Sequence, residues 1–322
     1  MNFSAFEADQ GREGRVTKIL IAEKIDSICP EMFREAGFEV EIRPGLGPDE
    51  LRAALADCEG LVVRSAVKVT AELLAAAGRL KVVGRAGAGV DTIDVEAARA
   101  RGIAVLNTPG QNAGAVAELV MGLMLALVRQ IMPAHAALLA GRWEKNRFSG
   151  GSELGGKTLA LLGFGAVGRR LAALAKGFGL EVLAHDPLVA DEVITAAGAR
   201  PAGWPDILAA ADFLSLHLPL TPETRGLISR EVIFNRLKPG ARLINCARGG
   251  LVDEAALAEA LAKGRLAGVG LDVFENEPPG ADHPLLAFEN VVVTPHLGAS
   301  TAEAQVNVAR SIAAQMIEYL RR

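Results

Sequence analysis

The chain has 322 residues, a length that is typical of about two domains. Half of the residues are hydrophobic and 22% are charged, a composition that excludes a disordered chain. The 34 basic and 38 acidic residues give a net charge of −4. The chain therefore lacks the overall positive charge that attracts nucleic acid or anionic membranes, although a local basic pocket for a small anion is compatible with it.

The cysteines and the N-terminus bear on the cellular compartment. Cys29, Cys58 and Cys246 form no CxxC pair, which argues against a disulfide framework or a zinc ribbon and favours a reducing compartment without a metal site. The N-terminus, MNFSAFEADQ, has no basic segment followed by an apolar run, so it does not predict a signal peptide. The apolar run from Leu119 to Val128 is too short to span a membrane. We expect a soluble, cytoplasmic protein with no nucleic-acid or membrane partner.

Short apolar runs alternate with helical patterns along the first third of the chain. These runs are rich in β-branched residues and end in a turn or a helix cap: KILIA (18–22), FEVEI (38–42), GLVVR (60–64), KVVGR (81–85) and GIAVLN (102–107). This strand–helix alternation predicts an α/β fold with a parallel sheet covered by helices on both faces.

A second series of strand-like runs begins after Lys157. Its members are TLALLGF, EVLAHD, DFLSLHLP, ARLINCA, AGVGLDV and NVVVTPH, the number of strands that a dinucleotide-binding sheet needs. Between the two series, residues 113–140 predict one long helix, apolar nearly all round and therefore buried by a domain wall or a subunit interface. The last segment predicts an amphipathic helix from Ser300 to Arg322, capped by Ser300 with Glu303 three residues on.

A glycine turn follows the first strand of the second series and opens a helix. In the GxGxxG pattern, Gly163 permits the tight turn, Gly165 lets the backbone approach a pyrophosphate, and Gly168 lets helix and strand pack closely. Asp186 ends the next strand, where a carboxylate binds a ribose 2′-hydroxyl and repels a 2′-phosphate, so the pattern favours NAD over NADP. A second glycine-rich loop, residues 87–92, has no such acid placed after it, and we expect it to line the substrate side.

Five histidines are present, so a general acid or base can be sought by elimination. His135 falls within the apolar helix, His185 beside the ribose acid, and His283 in a proline-rich loop. His217 ends a strand, where it would contact the cofactor. His296 ends the sixth predicted strand, at the carboxyl edge where open α/β sheets bind ligands. It is the candidate base, although position alone is equally compatible with a structural histidine.

An arginine and several acids complete the candidate chemistry. Arg248 follows the fourth strand in NCARGGLVDE, and its guanidinium suits a substrate carboxylate. The two glycines after it would remove side chains that block a ligand. Glu277, in DVFENEPP, would fix the tautomer of the His296 imidazole, and spacing leaves Glu275 open as an alternative. Asp272, at the end of the fifth strand, would bind the nicotinamide amide.

With NCARGGLVDE, DVFENEPP and TPHLGAS in this order after a GxGxxG turn, the chain resembles the D-isomer-specific 2-hydroxyacid dehydrogenases. The resemblance begins near Lys18 and continues to the C-terminus. It implies two Rossmann-like domains with doubly wound parallel sheets. Residues 1–110 and 297–322 would form a flavodoxin-like substrate-binding domain, into which an NAD-binding domain of residues 111–296 is inserted. Arg248 would orient the substrate, His296 would be the acid/base, and Glu277 would be its carboxylate partner.

Two sets of binding residues are expected. The cofactor-binding set is Gly163, Gly165, Ala166, Val167, Gly168, Asp186, His217, Leu218, Pro219, Cys246, Ala247, Asp272 and Gly298. The substrate-binding set is Arg64, Ser65, Arg85, Ala86, Gly87 and Arg142.

Further strings indicate which acid the enzyme takes. DCEGLVVRSAVKVTAELL, GRAGAGVDTIDVEAA and GRWEKNRFSG resemble the members of the family that oxidise 3-phosphoglycerate for serine synthesis. The resemblance implies that a basic loop around Trp143, with Arg142, Lys145 and Arg147, reaches into the substrate site of a neighbouring subunit. The alternative is that these three cations form a solvated surface cluster.

Other functions compete with this hypothesis. Reduction of hydroxypyruvate or glyoxylate is the second, oxidation of a sulfonated analogue such as sulfolactate the third, and an NAD-sensing dehydrogenase-like scaffold belongs to a different class. A homodimer formed through the cofactor domains is expected, or a tetramer of two dimers. Relatives often carry a C-terminal regulatory domain that binds serine. If the chain is complete at Arg322, we expect that feedback to be absent.

Overall fold

The computed structural model describes residues Val16 to Arg322. The first ten residues, on which the expectation of no signal peptide rests, lie outside the described part. The chain forms two compact units. Asn112–Ala304 make up one unit, and the residues up to Gln111 together with Gln305–Arg322 make up the other.

Twelve strands and eleven α-helices are present between Val16 and Arg322. The strands are β1 (Lys18–Ile21), β2 (Glu39–Ile42), β3 (Gly60–Val63), β4 (Val82–Arg85), β5 (Ala104–Asn107), β6 (Thr158–Leu162), β7 (Glu181–His185), β8 (Arg200–Pro201), β9 (Phe213–Leu216), β10 (Arg242–Asn245), β11 (Gly268–Leu271) and β12 (Val291–Val293). The helices are α1 (Ile28–Glu35), α2 (Pro48–Leu55), α3 (Ala71–Ala76), α4 (Val95–Ala100), α5 (Ala113–Val128), α6 (Ile131–Leu139), α7 (Ala166–Gly177), α8 (Asp191–Ala196), α9 (Trp204–Ala210), α10 (Glu254–Ala262) and α11 (Ala302–Leu320). A π-helical turn covers Val232–Arg236 and a 3₁₀ turn covers Pro284–Ala287.

The discontinuous unit is built on a five-stranded parallel sheet in the order β2-β1-β3-β4-β5. Its central strands are apolar on both faces, and Leu20 and Leu61 are fully buried, because helices cover both sides of the sheet. Helix α11 packs directly on β4. A Cβ at Gly84 would overlap the Met316 side chain, so the absence of a side chain there permits this close approach.

The continuous unit is built on a seven-stranded parallel sheet in the order β12-β11-β10-β9-β6-β7-β8. The chain leaves β6 toward β7 on one side and returns to β9 on the other. The carboxyl end of β6 is therefore the switch point of the sheet, where ligands bind in doubly wound folds. The predicted α/β class with two parallel sheets is confirmed. The short edge strand β8 was not predicted.

The predicted single helix over residues 113–140 is wrong. Helix α5 ends at Val128, Gln130 adopts a left-handed conformation with φ of 50°, and α6 continues at an angle of 65°. Most side chains of α5 are buried, as expected. On α6, Ala137 is buried but Leu139 is 77% exposed. No single helix in the described part of the chain is long and apolar enough to cross a membrane. Helices α5 and α6 would be long and apolar enough only together, and the chain bends by 65° between them.

The last helix also begins differently from the prediction. The Thr301 hydroxyl accepts a hydrogen bond from the Ala304 amide at 3.1 Å, which makes Thr301 the N-cap. The expected cap, Ser300, instead lies in the preceding turn, where its amide donates to the Leu297 carbonyl at 2.8 Å. The unit boundary falls within the first turn of this helix, between Ala304 and Gln305, whereas the boundary predicted from the sequence lies between residues 296 and 297.

The capping contact gives a test of local stability. We expect Thr301→Ala to lower the free energy of unfolding by about 1 kcal/mol, because the Ala304 amide loses its acceptor. The matched variant Ser300→Ala should change it by less than about 0.5 kcal/mol. Urea unfolding of both variants, with hydrogen exchange at the Ala304 amide, measures the difference. Equal effects of the two substitutions would contradict the assignment of Thr301 as cap.

Candidate active site

The predicted glycine turn lies at the switch point of the seven-stranded sheet. Gly163 has φ of +92°, and a Cβ there would overlap the backbone carbonyl of His217. Both the backbone conformation and the lack of space therefore exclude a larger residue. A Cβ at Gly168 would lie 2.6 Å from the Gly163 oxygen, which explains how closely α7 packs on the turn. A Cβ at Gly165 would meet no atom of the described residues within 4 Å.

The start of α7 suits an anion. Gly165 is the N-cap and has no side chain, so no side chain of its own satisfies the first N–H groups of the helix. Ala166 and Val167 follow as the first two helical residues. Free N–H groups and the positive end of the helix dipole form a binding site for phosphate groups. These residues therefore fit the pyrophosphate of a dinucleotide.

Asp186 lies beside this turn. Its Oδ2 accepts a hydrogen bond from the Phe164 amide at 2.8 Å, and its Oδ1 accepts one from the Leu188 amide at 2.9 Å. A cavity of about 370 Å³ opens next to it, lined by residues that include His185, Pro187 and Gly203. The carboxylate has lone pairs left for ribose hydroxyls, and its negative charge disfavours a 2′-phosphate.

The two titratable cofactor-binding candidates that follow β9 and β10, His217 and Cys246, are uncharged. Burial lowers the pKa of His217 to about 4, and its Nε2 lies 3.0 Å from the Ser215 hydroxyl. Burial raises the pKa of the Cys246 thiol well above its usual range. At neutral pH His217 is therefore a neutral imidazole and Cys246 a thiol. Leu218 packs near the first glycine of the turn, and Pro219 accepts a hydrogen bond from Thr224 at 2.7 Å.

His296 and Glu277 are in direct contact. The His296 Nδ1 lies 2.7 Å from Glu277 Oε2, and Glu277 Oε1 accepts a hydrogen bond from the Phe274 amide at 3.1 Å. Both side chains are partly exposed, His296 at 49% and Glu277 at 38%. Because Nδ1 is engaged by the carboxylate, Nε2 is the nitrogen available to a ligand. The structure thus pairs His296 with Glu277 and not with Glu275, the alternative that spacing left open.

Asp272 holds the loop that carries His296. The carboxylate is 1% exposed. Its Oδ1 accepts from the Thr294 hydroxyl and the Leu297 amide, both at 2.6 Å, and its Oδ2 accepts from the Gly298 amide at 2.8 Å. The Asp272 carbonyl accepts from the His296 amide at 2.8 Å, and His296 has φ of +54°. These contacts hold the loop within the protein, whereas the expected contact to the nicotinamide amide stays a prediction.

The turn that carries Arg248 is held by Asn245, a residue to which the sequence assigned no role. Asn245 is 2% exposed. Its Oδ1 accepts from the Ala247 amide at 3.0 Å, and its Nδ2 donates to the Arg248 carbonyl at 2.8 Å. The Arg248 guanidinium also donates to the Ala247 carbonyl at 2.6 Å. An asparagine at the end of a strand is a recognised turn signal and could have been used to find it.

The two glycines after Arg248 serve a purpose different from the one expected. A Cβ at Gly249 would overlap the backbone carbonyl of Phe274. Gly250 has φ of +78°, a conformation that favours glycine. The expectation that they clear space for a ligand is therefore wrong for Gly249, since backbone fills that space. The glycine instead brings the Arg248 turn against the loop that carries Glu277.

A second acid–histidine pair was also missed. Glu254 Oε2 lies 3.0 Å from His283 Nε2, and its Oε1 accepts from the Glu275 amide at 2.8 Å. The His283 ring packs edge-on against Phe274, with ring centroids 5.4 Å apart. This pair braces residues 274–277 from outside. Glu254 and His283 lie in separate segments, and no local pattern in the sequence connects them.

The predicted substrate residues of the other unit lie at the ends of β3 and β4. These strands are neighbours, and Val63 pairs with Arg85. The Arg85 guanidinium lies against Gly87, where a Cβ would overlap it. Ala86 is buried and Ser65 is exposed. The second glycine-rich loop therefore follows β4 of the discontinuous unit.

The predicted basic loop contains ion pairs that were not expected. Arg142 Nε lies 3.5 Å from Glu144, and Arg147 pairs with Glu144 at 2.9 Å and with Glu289 at 2.5 Å. The Arg147 guanidinium lowers the pKa of the Glu289 carboxyl. Trp143 is 80% exposed. Much of the positive charge of the loop is therefore balanced by acids of the same unit.

Comparisons with known proteins give the family. Residues 121–298 match the model described as "D-isomer specific 2-hydroxyacid dehydrogenase, NAD binding domain". A rat protein named D-3-phosphoglycerate dehydrogenase is 45% identical over 304 residues, which cover 94% of this chain. The chain spans 56% of the length of that relative.

Two solved structures extend the likeness. An NAD⁺-bound 3-phosphoglycerate dehydrogenase of Entamoeba histolytica has a TM-score of 0.81 and 29% identity, and the match covers 96% of each chain. A glyoxylate reductase from Paecilomyes thermophila has a TM-score of 0.86 and 28% identity, and the match covers 95% of this chain and 96% of that one. The family match confirms NAD as the expected cofactor. With its two parallel sheets and its glycine turn, the chain belongs to the D-isomer-specific 2-hydroxyacid dehydrogenases.

Proposed function

We propose that this chain catalyses the NAD-dependent oxidation of a D-2-hydroxy acid at C2. The substrate we propose is 3-phosphoglycerate, with 3-phosphohydroxypyruvate as the product, as in serine synthesis. The observation that carries the reaction type is the 2.7 Å contact between His296 Nδ1 and Glu277 Oε2. It lies after a strand of the same sheet that bears the glycine turn, where an imidazole can act on a ligand beside a dinucleotide.

The residues of this unit divide the chemistry between them. The Arg248 guanidinium binds the substrate carboxylate through its two parallel N–H groups. His296 Nε2 accepts the proton of the C2 hydroxyl during oxidation and returns it during reduction. Glu277 holds Nδ1 and stabilises the imidazolium that forms. When bound, NAD supplies the acceptor for the hydride that leaves C2.

The choice of 3-phosphoglycerate rests on charge and on the name of the rat relative. A phosphate requires several cations, and Arg64 and Arg85 follow neighbouring strands in the discontinuous unit. We propose that Arg64, Ser65, Arg85, Ala86 and Gly87 bind the phosphorylated substrate. Arg142 joins them from a second subunit in this proposal.

The assembly and the compartment are proposals as well. Helix α6 and the residues after it expose large apolar side chains, among them Ile131, Met132, Leu138, Leu139 and Trp143. Contiguous exposed apolar side chains mark protein–protein interfaces, and we propose that this surface forms a homodimer. The three cysteines are free and buried, which supports the reducing environment of a cytoplasmic enzyme.

The substrate is tested by following the nicotinamide absorbance with NAD and four acids offered in parallel. We expect 3-phosphoglycerate to give a kcat/KM at least about tenfold above those for D-glycerate, sulfolactate and D-lactate. An acid without the phosphate loses at least one charge-assisted hydrogen bond to the cations of the site, which corresponds to about tenfold. Preference for glyoxylate or hydroxypyruvate in the reverse direction would support the reductase alternative. NAD binding without turnover of any acid would support the scaffold alternative.

The acid/base assignment is tested by substitution of the histidine and its partner. We expect His296→Ala to lower kcat by about 10²–10⁴-fold, because the proton acceptor is lost. Glu277→Gln should lower kcat less, since the one remaining side-chain oxygen can still accept from His296 Nδ1. Glu275→Gln is the matched control and should retain full turnover, because the Glu275 side chain is exposed. NAD binding by titration calorimetry should be unchanged in all three variants. Unchanged turnover in His296→Ala would refute the assignment.

The cofactor preference is tested at the carboxylate after β7. Asp186→Asn removes the negative charge and keeps one oxygen for the Phe164 or Leu188 amide. We expect the ratio of kcat/KM for NAD to that for NADP to fall by about tenfold, the size of one charge-assisted hydrogen bond. Glu192→Gln, an exposed acid in the first turn of α8, should leave the ratio unchanged. A ratio unaffected by Asp186→Asn would mean that another feature excludes NADP.

A further inference from the structure

The loop after β3, residues 64–68, directs its backbone amides at one carboxylate. Glu23 Oε1 accepts from the Arg64 amide at 2.7 Å and from the Val67 amide at 3.0 Å. Glu23 Oε2 accepts from the Ala66 amide at 3.1 Å. One side chain therefore satisfies three amides of a loop that has no helical or strand structure. Hydrogen bonds to a charged acceptor are stronger than those between neutral groups.

In the described part of the chain, these three amides have no backbone acceptor. No backbone carbonyl between Val16 and Arg322 accepts from the Arg64, Ala66 or Val67 amide. The loop lies beside a cavity of about 510 Å³, lined by Glu23 and by residues 66–68 together with parts of α2 and α3. Ser65 and Ala66 are exposed. Val67 packs against the apolar core of the unit, and the three amides of the loop are held by the Glu23 carboxylate.

The sheet explains why Glu23 reaches the loop. Strand β1 is the neighbour of β3, and the Ala22 amide still donates to the Val62 carbonyl at 3.0 Å. The segments after β1 and β3 therefore leave the sheet side by side at its carboxyl edge. Lys24 adds a second contact, because its carbonyl accepts from the Arg64 Nη1 at 3.3 Å. The segment after β1 thus holds both the backbone and the side chain of Arg64.

We propose that Glu23 is a positioning residue for substrate binding, which acts by fixing the Arg64–Ser65 loop. The inference rests on the proposed function, in which this loop binds the phosphorylated acid. The carboxylate contacts the protein backbone and not the reacting atoms. Its loss lets the loop adopt several conformations, so the arginine is held less often in the orientation that binds the substrate.

The first test separates substrate binding from turnover. Glu23→Gln replaces one acceptor oxygen by a donor that cannot pair with an amide N–H. We expect the KM for 3-phosphoglycerate to rise by about tenfold, with kcat within about twofold and the Kd for NAD unchanged. Glu96→Gln, an exposed acid in the first turn of α4, is the matched control and should leave both constants unchanged. A fall in kcat with an unchanged KM would overturn the proposal.

The second test asks whether Glu23 acts through Arg64. In an Arg64→Ala background, Glu23→Gln should raise the KM by less than about twofold, because variants that affect one interaction are not additive. A full tenfold rise in both backgrounds would overturn the proposal and indicate general damage to the unit. Glu23→Asp keeps a carboxylate and should restore part of the affinity. It also serves as the test variant if Glu23→Gln does not fold.

The proposed function can fail separately. If the wild-type chain prefers another 2-hydroxy acid, the KM comparisons are made with that acid and still test Glu23. If Arg64→Ala leaves the KM unchanged for every acid that is turned over, the loop does not bind substrate and the role of Glu23 is overturned as well. A raised KM in Arg64→Ala without any effect of Glu23→Gln would refute only the positioning role.

Discussion

The candidate active site depends on one buried carboxylate, that of Asp272. A charge with 1% exposure costs several kcal/mol unless hydrogen bonds replace its water. Asp272 meets this requirement by accepting from Thr294, Leu297 and Gly298. The hydrogen bonds that compensate the burial of this carboxylate are therefore the same ones that fix the loop around His296. The left-handed conformation of that histidine, uncommon for a non-glycine residue, persists because the surrounding contacts determine it.

Close backbone approaches complete the constraint. The glycine turn is held against the end of β9 by the absence of a Cβ at Gly163, and the Arg248 turn is held against the Phe274 loop by its absence at Gly249. The side chains of Arg248, Glu277 and His296 thus project from backbone segments that are fixed to one another within a single unit. Groups held in place before the ligand binds lower the cost of orienting it. This arrangement fits the proposed oxidation, in which a fixed imidazole accepts a proton.

The sequence predicted the features that repeat or that obey a local rule. Continuous β-branched runs predicted every strand of both sheets except the short edge strand β8, and the GxGxxG spacing predicted the switch point. The break in the long apolar helix was missed although Pro133 lies in the first turn of α6, where a proline is tolerated because the amide there has no partner within the helix. The turn itself forms at Gln130, which adopts a positive φ although it is not a glycine. The choice between Glu277 and Glu275 depends on how the loop folds back on Phe274. The Glu254–His283 pair joins segments that no periodicity connects, so only the three-dimensional structure brings them together.

The contact between Gly249 and Phe274 also limits how this enzyme can diversify. Any side chain at position 249 would have to displace the backbone of the loop that carries Glu277, so a substitution there would first disturb the carboxylate that contacts His296. Directed evolution toward a new acid should therefore conserve this position. Accepted changes should accumulate instead at side chains that are free to vary in volume, such as exposed Ser65. In this chain, selection on the backbone geometry around Glu277 would act at position 249, and selection on substrate choice would act at other positions, such as Ser65.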